Sequence, residues 1–169
     1  MEWLEGHRGP GPLIVSLPHT GSDIPAELAG RFVSPWLATR DADWWVDKLY
    51  GFATDLGATT IRTRTSRSVI DVNRDPAGAS PCKAGPFSRV INGRLRGGSI
   101  RRHYGRPEMG INAIPMELAC RWYMDDPAQA PEPTTWPSPS DPQQAEPLRA
   151  TLQAILIACL TFTETPSPS

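Results

Sequence analysis

The sequence predicts an α/β fold, a single domain with a mixed sheet flanked by helices. Three observations predict it. The apolar run LIVSL at residues 13–17, stopped by Pro18, reads as a buried strand. Over residues 41–57, Trp45, Leu49, Phe52, Ala53 and Leu56 recur at helical spacing before Gly57 supplies a stop. Thr59, Ile61 and Thr63 then alternate as a strand. Strand, helix and strand in that order make a βαβ unit, which demands parallel pairing somewhere in the sheet.

The remaining elements follow in chain order. Residues 1–11 are a Gly/Pro-containing lead, and residues 12–163 carry the domain. Ser22 or Asp23 is placed to cap a short helix that has Pro25 early and Gly30 near its close. The β-branched stretch at 68–72 (SVIDV) predicts a further strand, ended by Asn73-Arg74-Asp75-Pro76. Residues 76–98 have loop chemistry with one short strand at 87–91. In GINAIPMEL, Ile111 and Ala113 alternate, but Pro115 suits no central strand. Residues 127–142, rich in Pro, Ser and Thr, are a linker or a surface-hugging loop. Leu148, Leu152, Ile155, Leu156, Cys159 and Leu160 then form one apolar helical stripe. Residues 164–169 are a frayed tail.

Composition narrows the function. The 169 residues suffice for one real core, and Lys+Arg 17 against Asp+Glu 18 gives no bulk attraction to nucleic acid or an acidic membrane. Arginine concentrates between residues 62 and 106, a local excess that suits carboxylate or phosphate. Cys82, Cys120 and Cys159 are too scattered for a disulfide framework or a paired metal motif. The acidic N-terminus resembles no signal peptide, and no apolar run reads as long enough to span a bilayer. A cytoplasmic protein is expected, with a small-molecule partner and neither nucleic acid nor membrane.

Several residues carry chemistry in this pattern. His19, one residue past the first strand and followed by Thr20-Gly21, stands at the sheet edge where open α/β folds bind ligands. It is a metal ligand or proton carrier on one reading, and a loop histidine bonded to backbone on the other. Asp43 and Asp47, four apart, share a face of the expected helix and offer zinc oxygen ligands; as helix-start acids they equally suit the helix dipole. Arg74, beside Asn73, is a carboxylate fork, or an ion pair with Asp71 or Asp75. RRHYGRP sets His103, Tyr104 and Arg106 in a basic, aromatic turn. Glu117, inside an apolar stretch, is the candidate general base, or the partner of a nearby arginine.

Taken together, SLPHTGSDIP, the DADWWVDKLY helix, RTRTSRSVIDVNRDPAGAS, INGRLRGGSIRRHYGRP and GINAIPMELACRWYMDDP resemble the N-formylglutamate amidohydrolases, also called N-formylglutamate deformylases. The resemblance covers most of residues 12–163. It implies an incomplete form of the zinc carboxypeptidase/aspartoacylase-like fold and hydrolysis of N-formyl-L-glutamate to formate and L-glutamate in histidine degradation. It further implies His19 as a zinc ligand with Asp47, ahead of Asp43, as the second. Glu117 would activate water, Asn73 and Arg74 would hold a substrate carboxylate, and His103 and Arg106 would line the pocket. The chain departs from the family near residues 80–86, where Ser80-Pro81-Cys82-Lys83-Ala84-Gly85 runs almost directly from one block to the next. The family's middle segment, with its Asp-Ala-His-Ser histidine, has no counterpart in the sequence. Zinc held weakly or lost, with activity lost in turn, follows from that departure. Two other readings stand beside the enzyme: a non-catalytic remnant that binds dicarboxylates, and an interaction module. A sheet left short also exposes an edge, which invites self-association.

Overall fold

The computed structural model describes residues 2–74, 99–125 and 131–164. The strand expected at 87–91, the shortened loop near 80–86, Cys82, Asp75 and the tail from 165 onward lie outside these residues. The described residues group into two units: Met1–Ile70 with Leu118–Ser169, and Asp71–Glu117.

The first unit holds a mixed three-stranded sheet. Strand β1 is Leu4–His7, β2 is Ile14–Leu17 and β3 is Thr59–Thr63, in the order β1-β3-β2. β2 pairs with β3 in parallel, Val15 opposite Thr60 and Leu17 opposite Arg62, as the βαβ pattern requires. β1 pairs with β3 antiparallel and lies in the stretch read from sequence as a lead. Its residues are mostly exposed, so no inward apolar period marks it.

Between β2 and β3 lie α1 (Ala26–Ala29), α2 (Pro35–Arg40) and α3 (Val46–Leu49), followed by a 3₁₀ turn at Gly51–Thr54. α1 ends at Gly30 as expected, but Pro25 is its N-cap and makes no side-chain cap bond. Asp23 instead bridges to Thr65 at the end of β3. The single helix expected over 41–57 is broken, because Trp45 takes a left-handed conformation (φ 64°) and the helix begins only after it. The apolar stripe nonetheless survives. Leu49, Phe52 and Ala53 are buried, Trp45 and Leu56 pack beside them, and Gly57, at φ 73°, ends the run.

After α4 (Ser99–Tyr104), which lies in the second unit, helix α5 (Pro142–Glu164) completes the core of the first unit from the far end of the chain. Leu152 and Leu156, on the expected stripe, join Val15, Leu17, Leu49, Phe52, Tyr123 and Met124 in one cluster. Arg149 lies over the Phe52 ring at 5.6 Å. Residues 142–163 form a helix long and apolar enough, by length and composition alone, to cross a membrane, which corrects the reading that no run reaches that length. Its inner face is nonetheless spent on the core. Residues 131–141 hug the surface: Trp136 Nε1 donates to the Arg40 carbonyl (2.9 Å) and Trp45 Nε1 to the Ser138 carbonyl (2.8 Å).

The strand expected at 68–72 does not form. The Ser66 and Ser68 hydroxyls both donate to the Ala38 carbonyl, and the Val69 and Ile70 amides turn back to the Ser66 carbonyl. These local bonds take the backbone groups a ladder would need. In the second unit, α4 is followed by a 3₁₀ turn at Pro107–Met109, which Arg106 and Ile111 close with reciprocal backbone bonds. The alternating stretch after Ile111 forms no strand, as Pro115 disfavours.

Candidate functional site

The loop after β2 is fastened to the end of β3 by a series of bonds. The Thr63 hydroxyl donates to the Pro18 carbonyl (2.9 Å), the Asp23 amide to the Arg64 carbonyl and the Ser66 amide to the Asp23 carbonyl (both 2.9 Å). Gly21 lets the two backbones meet: a Cβ there would lie 2.4 Å from the Arg64 carbonyl carbon and 2.4 Å from the Thr65 oxygen. This close approach is why the motif reads His-Thr-Gly.

His19 is thereby held past the C-terminal end of β2, its side chain only 12% exposed. The Asp43 amide donates to the His19 carbonyl (2.9 Å), which draws Asp43 beside it. Asp43 Oδ2 lies 3.7 Å from His19 Nδ1. Two donors sharing a tetrahedral zinc at about 2.0–2.2 Å each stand about 3.4 Å apart, so this pair fits two corners of such a site. Among the described residues, no group of three His, Cys, Asp or Glu side chains clusters for a metal.

Asp47 is placed elsewhere. Its carboxylate is paired with Arg62, whose Nε and Nη2 also donate to Glu5 Oε2 (2.6 and 2.5 Å). Arg64 adds a second contact to Glu5 (3.2 Å) and one to Asp23 (3.6 Å). Asp43 precedes the helix that carries Asp47, and the left-handed turn at Trp45 stands between them, so the two acids do not share a helix face. A shallow cavity of about 210 Å³ lies around Asp47, Arg62 and Tyr50, without His19 in its lining. Such a cavity is smaller than an ordinary ligand pocket.

Tyr123, missed from the sequence, is buried, and its hydroxyl reaches Cys120 Sγ at 3.6 Å. Burial first, then Cys120 and the Asp43 carboxylate, push its phenol well above the ordinary tyrosine range. Burial does the same for Tyr50.

The second unit contains the other sequence candidates. Asp71 Oδ1 accepts from the Asn73 amide (3.0 Å), Asp71 Oδ2 accepts from Arg74 Nε (3.2 Å), and Asn73 Oδ1 accepts from the Ile100 amide (3.1 Å). The ion pair considered from sequence is therefore present, with Asp71. Arg74 stays more than half exposed. His103 is exposed and meets Tyr104 edge-on, centroids 4.7 Å apart. Arg106 is exposed too, and its described role is the backbone bridge to Ile111. Glu117 is exposed, together with Ile114 and Met116, so the burial expected from its apolar neighbours is absent. Those side chains face water rather than a core.

Residues 11–85 match the family model of the N-formylglutamate amidohydrolases. Over that stretch, less than half of its length, the chain is similar to that family, and the comparisons support a hydrolase acting on an amide bond. Among its relatives, the N-formylglutamate deformylase of Pseudomonas aeruginosa is 25% identical, with 77% of this chain and 88% of the relative covered. That of Pseudomonas putida is 23% identical, with 94% of this chain and 96% of the relative covered. The second match runs over 265 positions, more than the 169 residues of this chain, so the relative carries stretches with no counterpart here. No solved structure matches the chain.

Proposed function

We propose that this chain is a zinc-dependent amidohydrolase that releases formate and L-glutamate from N-formyl-L-glutamate. The observation that carries the reading is the His19–Asp43 pair: a shielded imidazole and a carboxylate 3.7 Å apart, fixed by the loop that follows a parallel strand. Bound there, zinc supplies Lewis-acid polarisation of a carbonyl and makes water a stronger nucleophile near neutral pH. In this proposal Asp43, and not Asp47, is the carboxylate ligand, because Asp43 stands beside His19 whereas Asp47 Oδ2 is paired with Arg62. Glu117 takes the proton of the attacking water and returns it to the departing amine. Arg74 and Asn73 bind a substrate carboxylate through charge-assisted hydrogen bonds. His103 and Arg106 add polar contacts to the substrate, and the carboxypeptidase-like arrangement of the fold is part of the same reading.

Formate release from N-formyl-L-glutamate with added zinc tests it. Wild type is expected to turn over, His19→Ala, Asp43→Asn and Glu117→Ala to lose activity, and Asp47→Asn to keep it. No release from folded wild-type protein refutes the reading. Activity that survives Asp43→Asn and disappears in Asp47→Asn reverses the ligand assignment.

A second reading is favoured by the two, rather than three, clustered donors among the described residues: a metal-free binder of dicarboxylates. Thermal stabilisation by L-glutamate without zinc, lost in Arg74→Ala, distinguishes it from the enzyme.

A further inference from the structure

We infer that Asp71 is a positioning residue that aims the Arg74 guanidinium; the inference rests on the proposed role of Arg74 as the carboxylate holder. Asp71 is well placed for this. Its side chain is only 15% exposed, whereas that of Arg74 is 58% exposed. One carboxylate oxygen caps the turn by accepting from the Asn73 amide, and the other accepts from Arg74 Nε. Asn73 is pinned in turn by the Ile100 amide. The contact to Arg74 uses Nε, so the end-on pair Nη1 and Nη2, which matches a carboxylate bidentately, lies outside it.

A flexible exposed arginine pays rotamer entropy when it binds an anion. A guanidinium already held at Nε gives up less of it, and its fork is presented in a fixed plane. Asp71 also neutralises part of the Arg74 charge, which weakens simple attraction. The outcome therefore depends on which effect is larger, and the geometry at Nε favours orientation.

The test is a double-mutant cycle read by calorimetric titration of L-glutamate into the full chain. Asp71→Asn keeps an oxygen for the Asn73 amide and removes the charged acceptor for Arg74. It is expected to raise Kd on the order of ten-fold, the scale of one charge-assisted hydrogen bond at a part-exposed site. In an Arg74→Ala background the same change is expected to do nothing. Equal losses in both backgrounds, no loss, or tighter binding in Asp71→Asn would overturn the inference, as would a wild type that does not bind L-glutamate. Arg74→Lys keeps the charge but not the planar fork, at an exposed position; wild-type affinity in that variant also overturns it. Formate release is measured in parallel. Binding without release refutes the hydrolase reading and leaves the role of Asp71 intact.

Discussion

Replacing Gly21 with Ala puts a methyl group into the seam between the His19 loop and the end of β3. The new Cβ would stand 2.4 Å from both the Arg64 carbonyl carbon and the Thr65 oxygen. Ordinary contact between such atoms is about 3.5 Å, so the two backbones must part by roughly 1 Å. Both obstacles are backbone, and no side chain can swing away to relieve them. The Asp23–Arg64 and Ser66–Asp23 backbone bonds, each 2.9 Å, flank the clash and would stretch beyond useful length. Overpacking typically costs about 1–3 kcal/mol and each of the two lost bonds about 1 kcal/mol, so Gly21→Ala should destabilise by about 3–5 kcal/mol. Urea unfolding followed by circular dichroism measures this as a lower midpoint at unchanged slope. Gly30→Ala is the control. Gly30 sits at φ −70° with nothing within 4 Å of the added carbon, so it should be neutral or more stable by up to about 1 kcal/mol. Equal midpoints for wild type and Gly21→Ala would refute the claim that the loop is clamped there.

Leu152→Ala should cost about 2–5 kcal/mol in the same assay, because Leu152 is fully enclosed where α5 meets the core. Trp136→Phe removes the indole bond to the Arg40 carbonyl and should cost about 1 kcal/mol, read as a small midpoint shift. Tyr123 has a raised phenol pKa in the folded chain, so its contribution to stability is complete below the ordinary tyrosine value near 10 and is lost as pH rises beyond it. Stability measured from pH 8 upward should fall above about pH 10, and Tyr123→Phe should flatten that fall. An identical decline in the variant would show that Tyr123 takes no part.

The elements legible in the sequence are those whose own residues bury a face. Val15 and Leu17, the Leu49–Phe52–Ala53 series and Leu152–Leu156 each carry a period that the core later uses. β1 carries none. Its place in the sheet depends on backbone pairing with β3 and on the Glu5–Arg62 ion pair, 57 residues apart in the chain. The run SVIDV has strand composition, yet Ser66 and Ser68 commit the chain to a turn through Ala38, a partner no local window contains. At the site, His19 was legible because a strand end fixes where the next residue stands. That Asp43, and not Asp47, lies beside His19 was not, because it depends on one left-handed residue, Trp45, and on a distant arginine. Glu117 shows the converse: apolar neighbours imply burial only if those neighbours are themselves buried.

The first unit draws its core from both ends of the chain, residues up to Ile70 and residues from Leu118 onward. Val15 and Leu49 wait for Tyr123, Met124 and Leu152, which the ribosome supplies about seventy or more residues later. Until then this part of the core is uncovered, and the His19 loop is held by its hydrogen bonds to the end of β3. Closure of so long a loop is slow, and the interval is one in which apolar surface is open to other chains. Synthesis rate and chaperone supply should therefore govern the soluble yield of this protein more than its final stability does.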